Sequence, residues 1–477
     1  MTPSEYAAHD AVGLAALVAR REVSPRELVD AAVAVIERHD PALNAVVMRD
    51  IEAARRAADG PLPAGPFRGV PFLAKDTNQD VAGFPTTHSS RFFEGSPPRA
   101  DGELARRWLA AGLVILGKTN TPELAGDFTT EPALRGATRN PWRLDLSTGG
   151  SSGGAGAAVA SGMVPMAHGT DLGGSIRMPA SLCGVFGFKP TPGLVPLGPD
   201  RDEIACGLNS DHVLTRSVRD SAAMLDATAA PDPGAPYPPP APARPYLVEA
   251  GQPAERLRVA VTTAAPGGQR VDPACVAAVE ATRDLLAAMG HDIVPYAWSV
   301  GMEYLDASLP LWTAGIADEI DRRAAELGRG PAPGELEPLT LETYQRAKRT
   351  TLDALMAARR LGNRIRRRIA QDFLGFDVLV TPSTAGVALP LGRLGGISGT
   401  QDKDQWLGTG YDFAPFHELF NLTHQPAMSV PLHWTAEGLP VGVQVVGRHG
   451  EDGLLFRLAA ALEQARPWAG RHPPLWG

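Results

Sequence analysis

The sequence predicts an α/β fold in which helices pack on both faces of a sheet. Three observations support this. Short apolar runs of strand length alternate with segments whose apolar residues recur at helical spacing. Gly residues and capping signals punctuate the alternation. The apolar fraction, 44%, is ordinary for a globular chain. By length alone, 477 residues would be expected to divide into two cores.

Residues 1–40 read as two helices. Ser24-Pro25-Arg26-Glu27 has the form of a capping box, with Ser24 at N-cap, Pro25 at N1 and Glu27 at N3. Leu28, Ala31, Ala32, Val35 and Ile36 then supply one apolar face. Ala45–Met48 reads as a strand, and Val70–Ala74 as a second with Lys75 at its end. A lysine directly after a buried run is a candidate desolvated amine. Asp101–Ala111 is a helix stopped by Gly112, and Leu113–Leu116 a buried strand. Ala155–Ala160 is small and apolar enough for a close-packed helix, and Val164–His168 is strand-like. Ser217–Thr228 is helical. Pro231–Pro245 has eight prolines in 15 residues, which fits an extended surface linker. Leu257–Val261 and Ile293–Tyr296 are strands around the helix Pro273–Met289, which Gly290 stops. Leu341–Phe373 reads as one or two helices broken near Gly362. Phe376–Thr381 and Val441–Val446 are strands, and Leu454–Ala465 a closing helix. The sequence has no convincing internal repeat.

Composition excludes several functions. A net charge of −8 argues against nucleic acid and anionic membranes as partners. The arginines at 359, 360, 364, 366, 367 and 368 have no aromatic platform between them and read as a solvated helix face. Cys183, Cys206 and Cys275 are odd in number and lack CxxC spacing, so neither disulfides nor a zinc site is expected. His417-Glu418 lacks the second histidine of a zincin motif. No metal and no cofactor is expected. Met1–Glu5 does not open a signal peptide, and no run of about 18 apolar residues suggests a membrane span. The expected location is the cytoplasm.

Chemistry concentrates in two Gly-Gly-Ser turns, at Gly149-Gly150-Ser151-Ser152 and Gly173-Gly174-Ser175. Glycine leaves backbone N–H groups uncovered, so such a turn can aim several at one anion. Two other motif matches fail on context. Gly112–Thr119 fits the phosphate-loop expression, but a helix precedes it and its middle is strand-like, the reverse of the required order. Gly149–Gly153 fits the GxSxG elbow, but Trp142–Thr148 makes a poor incoming strand. A Ser-His-Asp esterase using Ser151, with a histidine among His212, His291, His417, His424 and His433, is the mechanistic alternative.

GGSSGG at 149–154, followed by Gly169–Thr191, resembles the amidase signature family of serine hydrolases. Gly69–Asp76 occupies the place of the family's lysine segment, with Lys75 lying 76 residues before Ser151. Gly117–Glu123, Gly136–Trp142 and Gly438–Gln444 extend the likeness, which is densest over about 67–192. The resemblance implies one α/β domain over 1–477, built on a central mixed sheet. It implies Ser175 as nucleophile, Ser151 after a cis peptide as proton relay, and Lys75 as base. The amides of Leu172, Gly173, Gly174 and Ser175 would form the oxyanion hole, and Ser152, Asp171 and Arg177 would hold the loops together. Members it most resembles act on cyclic or linear aminohexanoate oligomers, aryl acylamides or urethanes.

The expected partner is a small amide or carbamate, with the chain a monomer or homodimer. Pocket walls are expected from Gly126–Thr130, Gly198–Leu208, Met302–Ile316 and Gly399–Phe416. The candidates are Gly126, Phe128, Thr129, Trp312, Trp406 and Tyr411. The competing function is the glutamine-hydrolysing component of a tRNA-dependent amidotransferase. The Pro-rich stretch and the apolar loops lean against it.

Overall fold

The computed structural model describes residues 1–95, 100–230, 232, 234–235, 241–395 and 403–477. The capping box forms as expected. The Glu27 amide donates to Ser24 Oγ at 3.2 Å, and the Ser24 amide to Glu27 Oε2 at 2.9 Å, starting the helix Pro25–Leu43. Residues 1–40 hold three helices instead of two, because Thr2 caps a separate turn at Pro3–Ala7 ahead of Ala11–Ala19.

Thirteen strands occur among the described residues. They are β1 (Val46–Arg49), β2 (Pro71–Lys75), β3 (Val114–Thr119), β4 (Arg139–Asn140), β5 (Arg143–Ser147), β6 (Met166–Asp171) and β7 (Phe186–Lys189). They continue with β8 (Ser210–Thr215), β9 (Arg258–Val261), β10 (Asp292–Pro295), β11 (Val378–Pro382), β12 (Ala427–Trp434) and β13 (Pro440–Gly447). Eleven make one sheet in the order β1-β3-β2-β6-β8-β7-β12-β13-β11-β9-β10, while β4 and β5 pair separately. The sheet is mixed. β3, β2 and β6 run parallel, as do β11, β9 and β10, and the pairs from β6 to β11 are antiparallel. Helices flank it, and the core follows its central strands, where Phe72, Leu73, Val443 and Val445 are wholly buried.

Several sequence expectations need correction. Residues 142–148 do form a strand, β5, within a small hairpin. Three of its five residues are exposed, which hides the apolar pattern of a core strand. The strand expected at Val164–His168 is Met166–Asp171, starting two residues later and ending three later, because its polar end at Thr170–Asp171 is buried and paired inside the protein. Leu341–Phe373 breaks at 349–351, where Thr351 caps the helix Leu352–Asp372, and not at Gly362. Gly362 lies inside that helix, where a Cβ would come within 3.0 Å of Leu422 Cδ1. Five of the six arginines in the run stand exposed on this helix, and Arg366 reaches Leu422 O and His424 instead. Much of the Pro-rich stretch lies outside the described residues, and its part at 241–245 is exposed without regular structure. Lys118, in the rejected phosphate-loop match, is buried with its Nζ 3.6 Å from Asp76 Oδ1. Among the described residues, no helix is long and apolar enough to cross a membrane.

Candidate active site

Parallel pairing of β2 with β6 brings the carboxyl ends of both strands to the same edge of the sheet. Lys75 ends β2 and Thr170-Asp171 ends β6. The Lys75 side chain is fully buried, and its Nζ lies 2.7 Å from Ser151 Oγ, 2.8 Å from Thr170 Oγ1 and 3.0 Å from Ser152 Oγ. An ammonium would donate to all three hydroxyls. A neutral amine donates to two and accepts from the third. Burial pulls the Lys75 pKa down to about 7, against the opposing pull of the Asp211 and Asp171 carboxylates. Neutral amine is therefore abundant near pH 7.

Close backbone approach holds the first serine loop. The peptide between Gly150 and Ser151 is cis. The following helix, Gly153–Ala160, is buried along its whole length. A Cβ on Gly154 would sit 2.5 Å from the Asn120 nitrogen, and one on Gly153 only 2.2 Å from Thr148 Oγ1. Thr130 Oγ1 donates to Gly149 O at 3.0 Å and accepts from the Gly153 amide at 3.1 Å.

The second loop is built around Asp171. Its carboxylate accepts from the Gly174 amide at 2.8 Å and the Ile176 amide at 3.2 Å. It also meets Arg177 in a two-pronged pair, Nε to Oδ2 at 2.9 Å and Nη2 to Oδ1 at 2.8 Å. Arg177 donates onward to Gln444 Oε1 at 2.7 Å and Asn421 Oδ1 at 2.6 Å, and Asn421 Nδ2 returns to Asp171 O at 2.8 Å. Burial disfavours the Asp171 carboxylate, yet the Arg177 guanidinium outweighs it and holds the group well below the usual range. The Ser152 amide donates to Ser175 O at 3.2 Å and so joins the two loops. One expectation falls here. The Gly174 amide is taken by Asp171, which leaves those of Leu172, Gly173 and Ser175 without a hydrogen bond among the described residues.

Ser151 and Ser175 line one cavity, whose walls include Thr170, Asn78, His88, Arg201 and Glu319. This arm holds an ion pair, Arg201 Nη2 2.5 Å from Glu319 Oε2, beside apolar residues such as Leu124, Ile204 and Ile316. A second arm shares Ser175, Leu172 and Trp312, and is lined by Gly126, Phe128, Trp406 and Tyr411. The Phe128 ring stands 5.3 Å from Trp406 and 5.2 Å from Tyr411, and Trp312 lies 6.3 Å from Trp406. Five of the six expected wall residues thus converge. Thr129 does not line either arm. Its buried hydroxyl donates to Glu131 Oε1 at 2.7 Å and lies 2.6 Å from Ser147 Oγ, so it braces the loop.

The amidase family model matches residues 27–456. The chain belongs to the amidase family. This amidase is 38% identical over 481 residues to 6-aminohexanoate-cyclic-dimer hydrolase of Paenarthrobacter ureafaciens, covering 98% of this chain and 96% of that one. Its fold matches the structure of 6-aminohexanoate cyclic dimer hydrolase complexed with substrate, with a TM-score of 0.94 and 36% identity over 99% of this chain and 100% of the other. It also matches a glutamyl-tRNA(Gln) amidotransferase component from Thermotoga maritima with a TM-score of 0.75 and 27% identity, over 100% and 97% of the two chains. The amidase is an amidohydrolase acting on carbon–nitrogen bonds.

The incoming strand β5 removes the objection to a serine elbow, so the histidines of the amidase must decide. The Lys75 amide donates to His168 Nδ1 at 3.2 Å, which leaves the ring proton on Nε2, 3.3 Å from Asp211 Oδ2. His212 pairs with Ser221, His417 with Ser383 and His424 with Arg366, and the Leu257 amide donates to His291. Among the described residues no histidine is hydrogen-bonded to Ser151, Ser152 or Ser175. Sequence reasoning missed Thr170, whose signal is its buried position at the polar end of β6. It also missed Glu418 and Glu319, which tertiary closure brings to the cavity, whereas Arg201, the partner of Glu319, lies in the expected wall segment Gly198–Leu208.

Proposed function

We propose that this amidase hydrolyses small, largely apolar amides and carbamates through an acyl-enzyme, using Lys75, Ser151 and Ser175 as a relay. The observation that carries the reading is the buried Lys75 amine 2.7 Å from Ser151 Oγ, Ser151 in turn lining one cavity with Ser175. Ser175 Oγ attacks the carbonyl carbon. Its proton moves to Ser151, whose own proton moves to neutral Lys75. Amides of Leu172, Gly173 and Ser175 receive the oxyanion, each such donor contributing on the order of 3 kcal/mol to the transition state. The C–N bond then breaks as the Lys75 proton returns through Ser151 to the leaving nitrogen. Water attacks the ester by the same path and releases the acid. Aromatic walls at Phe128, Trp312, Trp406 and Tyr411 favour an apolar acyl part.

The base works only when uncharged. With the Lys75 pKa lowered to about 7, its neutral fraction rises with pH through that value. The expected kcat/KM climbs about tenfold per pH unit below it and levels off above it. A pH–rate profile on a chromogenic anilide checks this, and a flat profile across neutrality would count against Lys75 as base.

A substrate panel tests the reading as a whole. The purified chain alone should hydrolyse anilides, carbamates, and cyclic or linear aminohexanoate oligomers, and leave glutamine untouched. Hydrolysis of glutamine alone would favour the amidotransferase reading.

A further inference from the structure

Glu418 opens the short helix Glu418–Leu422 and lines the aromatic arm beside Gly173 and Ser175. It is 5% exposed. Tyr411 donates its hydroxyl to Glu418 Oε2, and Glu418 Oε1 has no hydrogen-bond partner. The buried Ser308 hydroxyl lies next to this carboxyl without a formed hydrogen bond. Burial raises the Glu418 pKa, and the Ser308 and Tyr411 hydroxyls oppose that shift. A Cβ on Gly173 would come within 3.2 Å of Glu418 Oε2, so the glycine leaves room for the carboxyl at the nucleophile loop. The wall also holds Asp127, whose Oδ1 accepts from Trp406 Nε1 at 3.0 Å, and is otherwise largely apolar, with Met178, Phe128, Trp312 and Trp406. A buried acceptor with an empty valence in such a wall is open to a donor, from Ser308 when the arm is empty or from a ligand that enters it.

The direction of the substrate follows from the two arms. Ser151, which hands the proton to the leaving nitrogen in the proposed relay, lines the arm that holds the Arg201–Glu319 pair. The amine therefore departs on that side, and the acyl chain enters the aromatic arm, where Glu418 waits. We propose that Glu418 selects amides whose acyl chain carries a second N–H donor, which is given to Oε1. This rests on the hydrolase reading above. The donor is either a terminal ammonium or a second amide N–H.

The test compares 4-nitroanilides of hexanoic, 6-aminohexanoic and 6-acetamidohexanoic acids, for wild type, E418Q and E418L. The plain hexanoyl rate of each enzyme is the denominator, so a general loss of activity cancels. Wild type is expected to prefer a donor-bearing chain in kcat/KM, by about tenfold or more for an ammonium and about threefold to tenfold for an amide. Which chain gains tells the two donors apart. E418L should lose either preference. E418Q keeps an acceptor oxygen without charge, so it should keep an amide preference and lose an ammonium one. A wild-type ratio near one, or a preference that survives in E418L, would overturn the proposal. Should E418L not fold, an ammonium preference unchanged in E418Q, or an amide preference lost in it, overturns it too. Wild type that hydrolyses none of the three anilides would instead defeat the hydrolase reading, and this inference with it.

Discussion

Ser175→Ala is expected to lower turnover by about 10⁴- to 10⁶-fold, the range seen when the nucleophile of a concerted catalytic unit is removed. The loss should leave the fold intact. The Ser175 hydroxyl makes no hydrogen bond among the described residues, and the bond that ties the two loops runs through its backbone oxygen to the Ser152 amide. Alanine keeps that bond and the three free amides. The remaining rate would come from the oxyanion site and from binding. Anilide turnover, the melting temperature and the mass of the intact protein after exposure to substrate check the outcome together. Wild type should carry an acyl adduct and the variant none. Full activity with an unchanged melting temperature would end the assignment of Ser175.

Lys75→Met is expected to lower turnover by on the order of 10⁴-fold. Methionine approximates the length of lysine and removes the base. Ser151 and Thr170 then lose their hydroxyl partner, at about 1–3 kcal/mol for each buried hydroxyl left unpaired, whereas Ser152 keeps its bonds to the Thr170 backbone. Removing a desolvated amine offsets part of that cost, so the change in stability should be modest beside the change in rate. The pH–rate profile discriminates further. Whatever activity persists in the variant should lose the rise through about pH 7 that the Lys75 pKa imposes. A variant that keeps the rise would place the titrating group elsewhere.

Lys75, Ser151 and Ser175 were picked out by the family resemblance with short-range signals beside it, and the structure sets Lys75 against Ser151. A lysine closes an apolar strand, and each serine follows a glycine pair. Phe128, Trp312, Trp406 and Tyr411 could be picked as large aromatics in segments outside the recognisable motifs, and they do converge. Features set by register or long-range closure were not legible. Thr170 meets Lys75 because β6 lies beside β2. Glu418 lies two residues beyond the expected wall segment Gly399–Phe416 and reaches the cavity with Tyr411 and Trp406. Thr129 looked like a wall residue, but a hydroxyl between Glu131 and Ser147 is worth more to the loop than to a ligand. The Gly174 amide counted as free until Asp171 claimed it. Three central strands, β7, β8 and β12, escaped notice. Glycines, histidines and other polar residues interrupt their patterns, and only burial in the sheet overrides the weak local preference.

The Arg177 clamp ties the nucleophile loop to Asn421 and Gln444, 244 and 267 positions downstream. During synthesis, Ser175 leaves the ribosome long before either partner has been made. Until then the guanidinium has no such anchorage, and the loop lacks its finished shape. Hydrolytic competence therefore arrives late in translation. Prematurely terminated chains that end before Asn421 carry Lys75, Ser151 and Ser175 and should be inert.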